Sequence, residues 1–128
     1  MVASGGRSVA KVPVKVVTRG DIYLVEFDPA VGSEIAKTRP AIVLQNDTAN
    51  RYSPITIVAA ITSKFDDNLY PTEVLIRSGE AGLKQDSVVA LNQIRTIDKA
   101  RIIKRIGKVT SFTLKRIDVA LKISVGLD

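Results

Sequence analysis

At 128 residues, 45% of them hydrophobic, the chain has room for one domain built round one core, and no apolar run approaches membrane-spanning length. It has no cysteine and no histidine, which excludes disulfides, thiolate chemistry, the commonest acid–base residue and the commonest metal ligand. The formal charge of +6 is uneven: residues 1–19 carry four bases and no acid, 20–91 six bases against ten acids, and 92–127 nine bases against two acids. Such a basic C-terminal third reads either as a footprint for phosphates or an acidic partner, or as a solvated surface. Cysteine-free and without a membrane span, the chain is expected in the cytoplasm.

Residues 1–18, with Gly5-Gly6, Pro13 and no periodicity, read as a flexible N-terminal arm ahead of a single domain over 19–128. They lack the continuous apolar stretch of a signal peptide. Gly20 to Phe27 is a β-rich run closed by the turn signal Asp28-Pro29. A small polar loop then opens on Gly32 and carries the cations Lys37 and Arg39. Because Pro40 follows, Arg39 is pushed out of the helical region and should mark the start of a strand. A permanent cation at the junction of a loop and a rigid strand is well placed to hold a phosphate.

The strand expected over Pro40 to Gln45 is followed by the turn formers Asn46-Asp47-Thr48-Ala49-Asn50 and a second strand, Ile55 to Thr62. Ser63 to Asn68 is a polar loop with one aromatic, Phe65. Glu73 to Arg77 and Ser87 to Leu91 flank Gly79-Glu80-Ala81-Gly82, and Ile94 to Ile97 and Arg101 to Ile106 are further short strands. Strands this frequent, with no helix between them, predict a small antiparallel barrel or sandwich. The end differs. Thr110 or Ser111 can cap a helix along which Leu114, Ile117, Ala120, Leu121 and Val125 recur, and Gly126 can stop it. That stripe must be buried on the sheet or on another copy of the chain.

Several chemistries are excluded by spacing. Gly79-x-x-Gly82-x-Lys84 is not a P-loop, and it joins strands, whereas the similar clamp loop of KH domains joins helices. A hairpin connection is the better reading. Asp66 and Asp67 point apart on an extended chain and have no third carboxylate nearby, a poor start for a metal site.

Taken in order, Arg19-Gly20-Asp21-Ile22-Tyr23, Asp28-Pro29, Gly32-Ser33-Glu34 and Arg39-Pro40-Ala41-Ile42-Val43 resemble the MazF/PemK toxins. The likeness continues through Gln45-Asn46-Asp47, Ile57-Val58-Ala59-Ala60-Ile61-Thr62, Asp86-Ser87-Val88-Val89 and Gln93-Ile94-Arg95-Thr96-Ile97-Asp98-Lys99. It runs from about Arg19 to Leu127. The resemblance implies a mainly β fold: a small SH3-like antiparallel β-barrel with a C-terminal α-helix, as in the CcdB/MazF group. It also implies a homodimer, an acidic cognate antitoxin of the MazE kind, and metal-independent, cofactor-free cleavage of single-stranded RNA. In that reaction the ribose 2′-OH attacks the adjacent phosphate, leaving a 2′,3′-cyclic phosphate and a 5′-hydroxyl. The catalytic pair it implies falls on Arg39 and Thr62.

Side-chain chemistry fits these roles. A guanidinium offers five donors in a rigid fork and keeps its charge, which suits a pentacoordinate phosphorane better than it suits proton transfer. The Thr62 hydroxyl, at a strand end, can donate to a phosphate oxygen or hold the 2′-OH; otherwise it is an ordinary β-branched strand residue. Candidate RNA contacts are Arg19, Ser33, Glu34 and Lys37 on the first strand and its loop, the amides Asn46, Asn92 and Gln93, and Phe65 as a stacking platform. Turn chemistry, backbone satisfaction or packing are the alternatives for each. The loop Glu34-Ile35-Ala36-Lys37-Thr38 departs from the glycine-containing stretch of many relatives, and Ser63 to Tyr70 is the least family-like region. Two rivals share the fold: a CcdB-like, non-catalytic gyrase binder, and an RNA-binding module without cleavage.

Overall fold

The computed structural model describes residues 16–27, 32 and 37–127. Six strands, β1 (Asp21–Glu26), β2 (Thr38–Val43), β3 (Ile55–Thr62), β4 (Glu73–Ile76), β5 (Ser87–Asp98) and β6 (Ile102–Lys108), form one antiparallel sheet in the order β4-β5-β3-β2-β1-β6. A short helix α1 (Asp47–Tyr52) links β2 to β3, and α2 (Ser111–Ser124) ends the fold. Alternation along the central strands sends side chains to two buried clusters. Ile22, Ile42, Ala59, Ile61, Val89 and Leu91 face the stripe of α2, whereas Tyr23, Val25, Ala41, Val43, Val58 and Ala60 face the other way and pack with Phe27, Ile97 and Ile102.

The predicted β fold with a C-terminal helix is present, and β3 runs over the residues read from the sequence. Two expectations change. Asn46 to Asn50 is not a plain turn: the Asn46 side chain accepts a hydrogen bond from the Ala49 N–H at 2.9 Å and caps α1. The runs 87–91 and 94–97 are one twelve-residue strand. Ala60 pairs with Ala90 but Ala59 with Ile94, so Leu91, Asn92 and Gln93 form an insertion that bends the strand and hides it from a period-2 reading.

β4 and β6 are the outer strands and do not pair. The barrel is closed by the turn Glu80–Gly82, between β4 and β5, which lies directly on β6. Gly79, Ala81 and Gly82 all adopt positive φ there. A Cβ at Gly82 would collide with the Ile106 carbonyl, and one at Gly107 with the Ala81 carbonyl, so only glycine permits this approach.

α2 is capped by Thr110, whose hydroxyl accepts from the Thr113 N–H at 3.1 Å, and Gly126 ends it at φ +79°. Ile117 and Ala120 are buried, and Leu114 and Leu121 pack beside them on this chain's own core. Val125, counted in the stripe from its spacing, is exposed instead, where the helix has already ended. A second apolar face, Phe112, Val119 and Ile123 with Leu127 beyond the helix, is also exposed. Val17, within the expected arm, is buried in the second cluster. The remainder of the expected arm, residues 1–15, lies outside the described residues, as do Ser33 and Glu34.

Candidate active site

Arg39 enters β2 opposite Val25 of β1. Between β2 and β3 the pairs are Val43↔Val58, Ile42↔Ala59 and Ala41↔Ala60. Continued outward by two residues, that register sets Arg39 opposite Thr62, and period-2 alternation gives the two residues the same face of the sheet. The position of Arg39 is fixed from several sides. The Phe27 N–H donates to the Lys37 carbonyl at 2.8 Å, extending the β1–β2 ladder to the base of the connecting loop. Arg95 sits over the Phe27 ring, 5.7 Å from its centroid, and donates to the Phe27 carbonyl at 2.7 Å. Lys37 itself holds φ at +66°, a left-handed conformation that costs a non-glycine residue about 1–2 kcal/mol.

The Arg39 guanidinium is half-buried, and its Nε–H is buried with no hydrogen-bond acceptor among the described residues. An unpaired buried donor costs about 1–3 kcal/mol, so the site is poised for an acceptor. The Thr62 hydroxyl accepts from the Lys64 N–H at 3.1 Å. Among the described residues its own proton has only the Lys64 carbonyl, at 3.4 Å, which is long for O–H···O. The oxygen is therefore held in place while its proton stays available. Arg39, Pro40, Ile61, Ser63, Lys84 and Ser87 are among the residues lining a cavity of about 160 Å³ beside this pair.

The other candidates lie in different places. Lys37 stands two residues before Arg39. Phe65, half-buried, follows Thr62 on the β3–β4 connection. Asn92 is exposed and Gln93 half-buried on the β5 insertion, on the far side of β3 from Arg39. Arg19 is engaged within the fold: its N–H donates to Asp47 at 2.7 Å, its Nε to the Leu44 carbonyl at 2.9 Å, and its guanidinium pairs with Asp118 of α2. It therefore sits at the opposite end of β2 from Arg39, and its N–H bond is the main reason the Asp47 carboxyl titrates below the usual carboxylate range.

Asn46 is likewise occupied in capping α1, next to a buried polar hub. Asn50 accepts from Gln45 at 3.0 Å and from Thr56 at 2.8 Å, and donates to the Gln45 carbonyl at 2.8 Å. The Lys99 ammonium donates to the Asn50 carbonyl, and burial pushes its pKa down. Sequence reasoning missed Lys84 and Ser63 at the cavity. Lys84 stood in plain view after the glycine pair once the P-loop reading had been set aside.

Residues 18–125 match the model of the PemK-like, MazF-like toxins of type II toxin–antitoxin systems. The chain belongs to that family. It is 45% identical over 112 residues to the endoribonuclease EndoA of Bacillus subtilis, a match covering 88% of this chain and 97% of that protein. The MazF fold is shared with the crystal structure of MazF from Deinococcus radiodurans, with TM-score 0.76, 24% identity, and coverage of 88% of this chain and 99% of that one. A mycobacterial endoribonuclease solved with its cognate antitoxin has TM-score 0.74 at 22% identity, covering 88% and 97% of the two chains. The MazF family thus accounts for the ordered set of motifs.

Proposed function

We propose that the chain is the toxin of a type II toxin–antitoxin pair and a sequence-specific endoribonuclease that cleaves single-stranded RNA independently of the ribosome and of metal. The observation that carries this is the buried Nε–H of Arg39, without an acceptor among the described residues, in register with the half-committed hydroxyl of Thr62. RNA brings its own nucleophile. A bond forms between the 2′-oxygen and phosphorus and the bond to the 5′-oxygen breaks, the first oxygen giving up a proton and the second gaining one. The protein need only hold the in-line geometry and stabilise the added negative charge. Arg39 supplies charge and a planar fork of donors; Thr62 supplies one hydroxyl donor. Identity with an endoribonuclease over nearly the whole chain supports this reading over a gyrase binder.

The relative solved with its cognate antitoxin supports an antitoxin partner here, and the net charge of +6 favours an acidic one that covers the surface RNA would occupy. We also assign a homodimer formed through the exposed Phe112, Val119 and Ile123 face of α2, and a cytoplasmic location. No helix among the described residues is long and apolar enough to cross a membrane.

The test is incubation of the purified protein with a long single-stranded RNA in EDTA. Internal cuts leaving 5′-hydroxyl ends are expected. An RNA carrying a 2′-deoxy nucleotide 5′ of the scissile bond should bind and stay whole. Efficient cutting of that substrate, or intact natural RNA with only a mobility shift, would overturn the assignment.

A further inference from the structure

A second cavity, of about 410 Å³, adjoins the first and shares Pro40, Leu83 and Lys84 with it. Its remaining lining is Leu24, Gly82, Lys104, Arg105 and Ile106, and no acidic residue lines either cavity among the described residues. In a regular strand Lys104 and Arg105 would point to opposite faces. Here the β1–β6 register shifts on both sides of them, between Ile22 and Tyr23 and between Leu24 and Val25. Between those shifts Arg105 pairs with Tyr23 and Lys104 with Leu24, and both residues line the groove along the outer strand β6.

Arg105 is also aimed. Its Nε and Nη2 donate to the two oxygens of Asp21, each at 3.3 Å, and Asp21 is buried and accepts a third bond from Tyr23 at 3.1 Å. Of the five guanidinium donors, those on Nη1 remain unspent among the described residues, on a side chain that is 54% exposed. Lys104 pairs with Leu24, which pairs with Pro40, so strand spacing sets it roughly 10 Å from the Arg39 end of β2.

Building on the RNA-cleavage reading, the geometry points to a second phosphate subsite, in which Lys104 and Arg105 grip a phosphodiester flanking the scissile one. Asp21 is the positioning residue for Arg105. RNA is favoured over an acidic peptide because the groove is continuous with the Arg39 cavity, so a strand lying across Arg39 has to run on past these cations. The subsite makes the enzyme require an extended strand and not a dinucleotide.

The probe is a labelled single-stranded RNA spanning a mapped cut site, made uncleavable by a 2′-deoxy nucleotide 5′ of the scissile bond. Neutral methylphosphonate linkages replace the flanking phosphates one at a time. One flanking position is expected to lose affinity for the wild-type protein, and that loss should vanish in Lys104→Gln and in Arg105→Gln. The double variant should lower the slope of log Kobs against log salt by about 0.7, the value for one single-strand phosphate contact. Asp21→Asn should also blunt the position-specific loss, which a merely structural defect would not do. Because Arg105→Gln strands a buried carboxylate, Lys104→Gln keeps the test valid if that variant fails to fold.

An unchanged salt slope and unchanged methylphosphonate profile in Lys104→Gln, in a protein that still cuts natural RNA, would overturn the subsite alone. A wild-type protein that cuts no RNA would overturn the underlying reading. Undiminished RNA binding with weakened binding of an acidic peptide such as polyglutamate would reassign the groove to protein recognition and overturn it as well.

Discussion

Arg39 and Thr62 make different demands on substitution. Arg39→Lys keeps a charge but loses the planar fork, so it should fall nearly as far as Arg39→Ala, by at least about a hundredfold in cleavage rate. Thr62→Val keeps shape and β-propensity while removing the donor, and should cost about a hundred- to a thousandfold. Single-turnover cleavage with circular dichroism as the folding control measures both; wild-type rates for either variant would remove that residue from the reaction. Lys37→Gly separates stability from binding at one position. Relieving the φ of +66° should raise Tm by several degrees while the lost cation weakens RNA binding.

Tyr23 gives a pH signature. Burial first, then the neighbouring Asp21 charge, pushes its pKa from 10.0 to about 12. The folded state thus holds a proton that the unfolded state releases. Its stabilisation is complete below about pH 10 and disappears as pH rises through about 12. Urea unfolding at pH 9 and at pH 11 should show a stability loss that Tyr23→Phe reduces.

At the scale of elements, the close approach of Glu80–Gly82 to β6 is the most sensitive feature. Gly107→Ala places a methyl group against the rigid Ala81 carbonyl, where no side chain can yield. A destabilisation above about 3 kcal/mol is expected by chemical denaturation, against well under 1 kcal/mol for Gly126→Ala in solvent if its positive φ relaxes with the helix end. The glycines of this turn were visible in the sequence as a hairpin connection, yet nothing in their spacing revealed that they meet Gly107. Local pattern carried β3 and α2, and narrowed the cap of α2 to Thr110 or Ser111, because their apolar periods and capping residues lie within a few positions of one another. The β5 insertion was split into two strands because three extra residues break the alternation. Similarly, Arg39 was legible from its proline, but the Lys104–Arg105 pair was visible only as excess charge. Their place beside Pro40 comes from the β1–β6 and β1–β2 registers, the first of which joins residues about 80 positions apart.

At the scale of the molecule, α2 divides its apolar residues between two jobs. Ile117 and Ala120 belong to this chain's core, while Phe112, Val119 and Ile123 remain exposed at 70%, 60% and 49%. Val119→Asp and Ile123→Asp should therefore convert a dimer into folded monomers, whereas Ile117→Asp should unfold the chain. Light scattering at micromolar concentration, with circular dichroism, distinguishes these outcomes; a wild-type monomer would end the dimer assignment.

Closure by a turn also gives the barrel a seam. Among the described residues, no backbone hydrogen bond crosses from Glu80–Gly82 to β6, so the two sides can part without breaking a ladder. The walls of the larger cavity, Gly82 to Lys84 on one side and Lys104 to Ile106 on the other, stand on the two lips of that seam. Any separation of the two lips therefore also widens the groove. Amide hydrogen exchange along β6 should slow when a strand spans the lips, as a clasp stiffens a hinge.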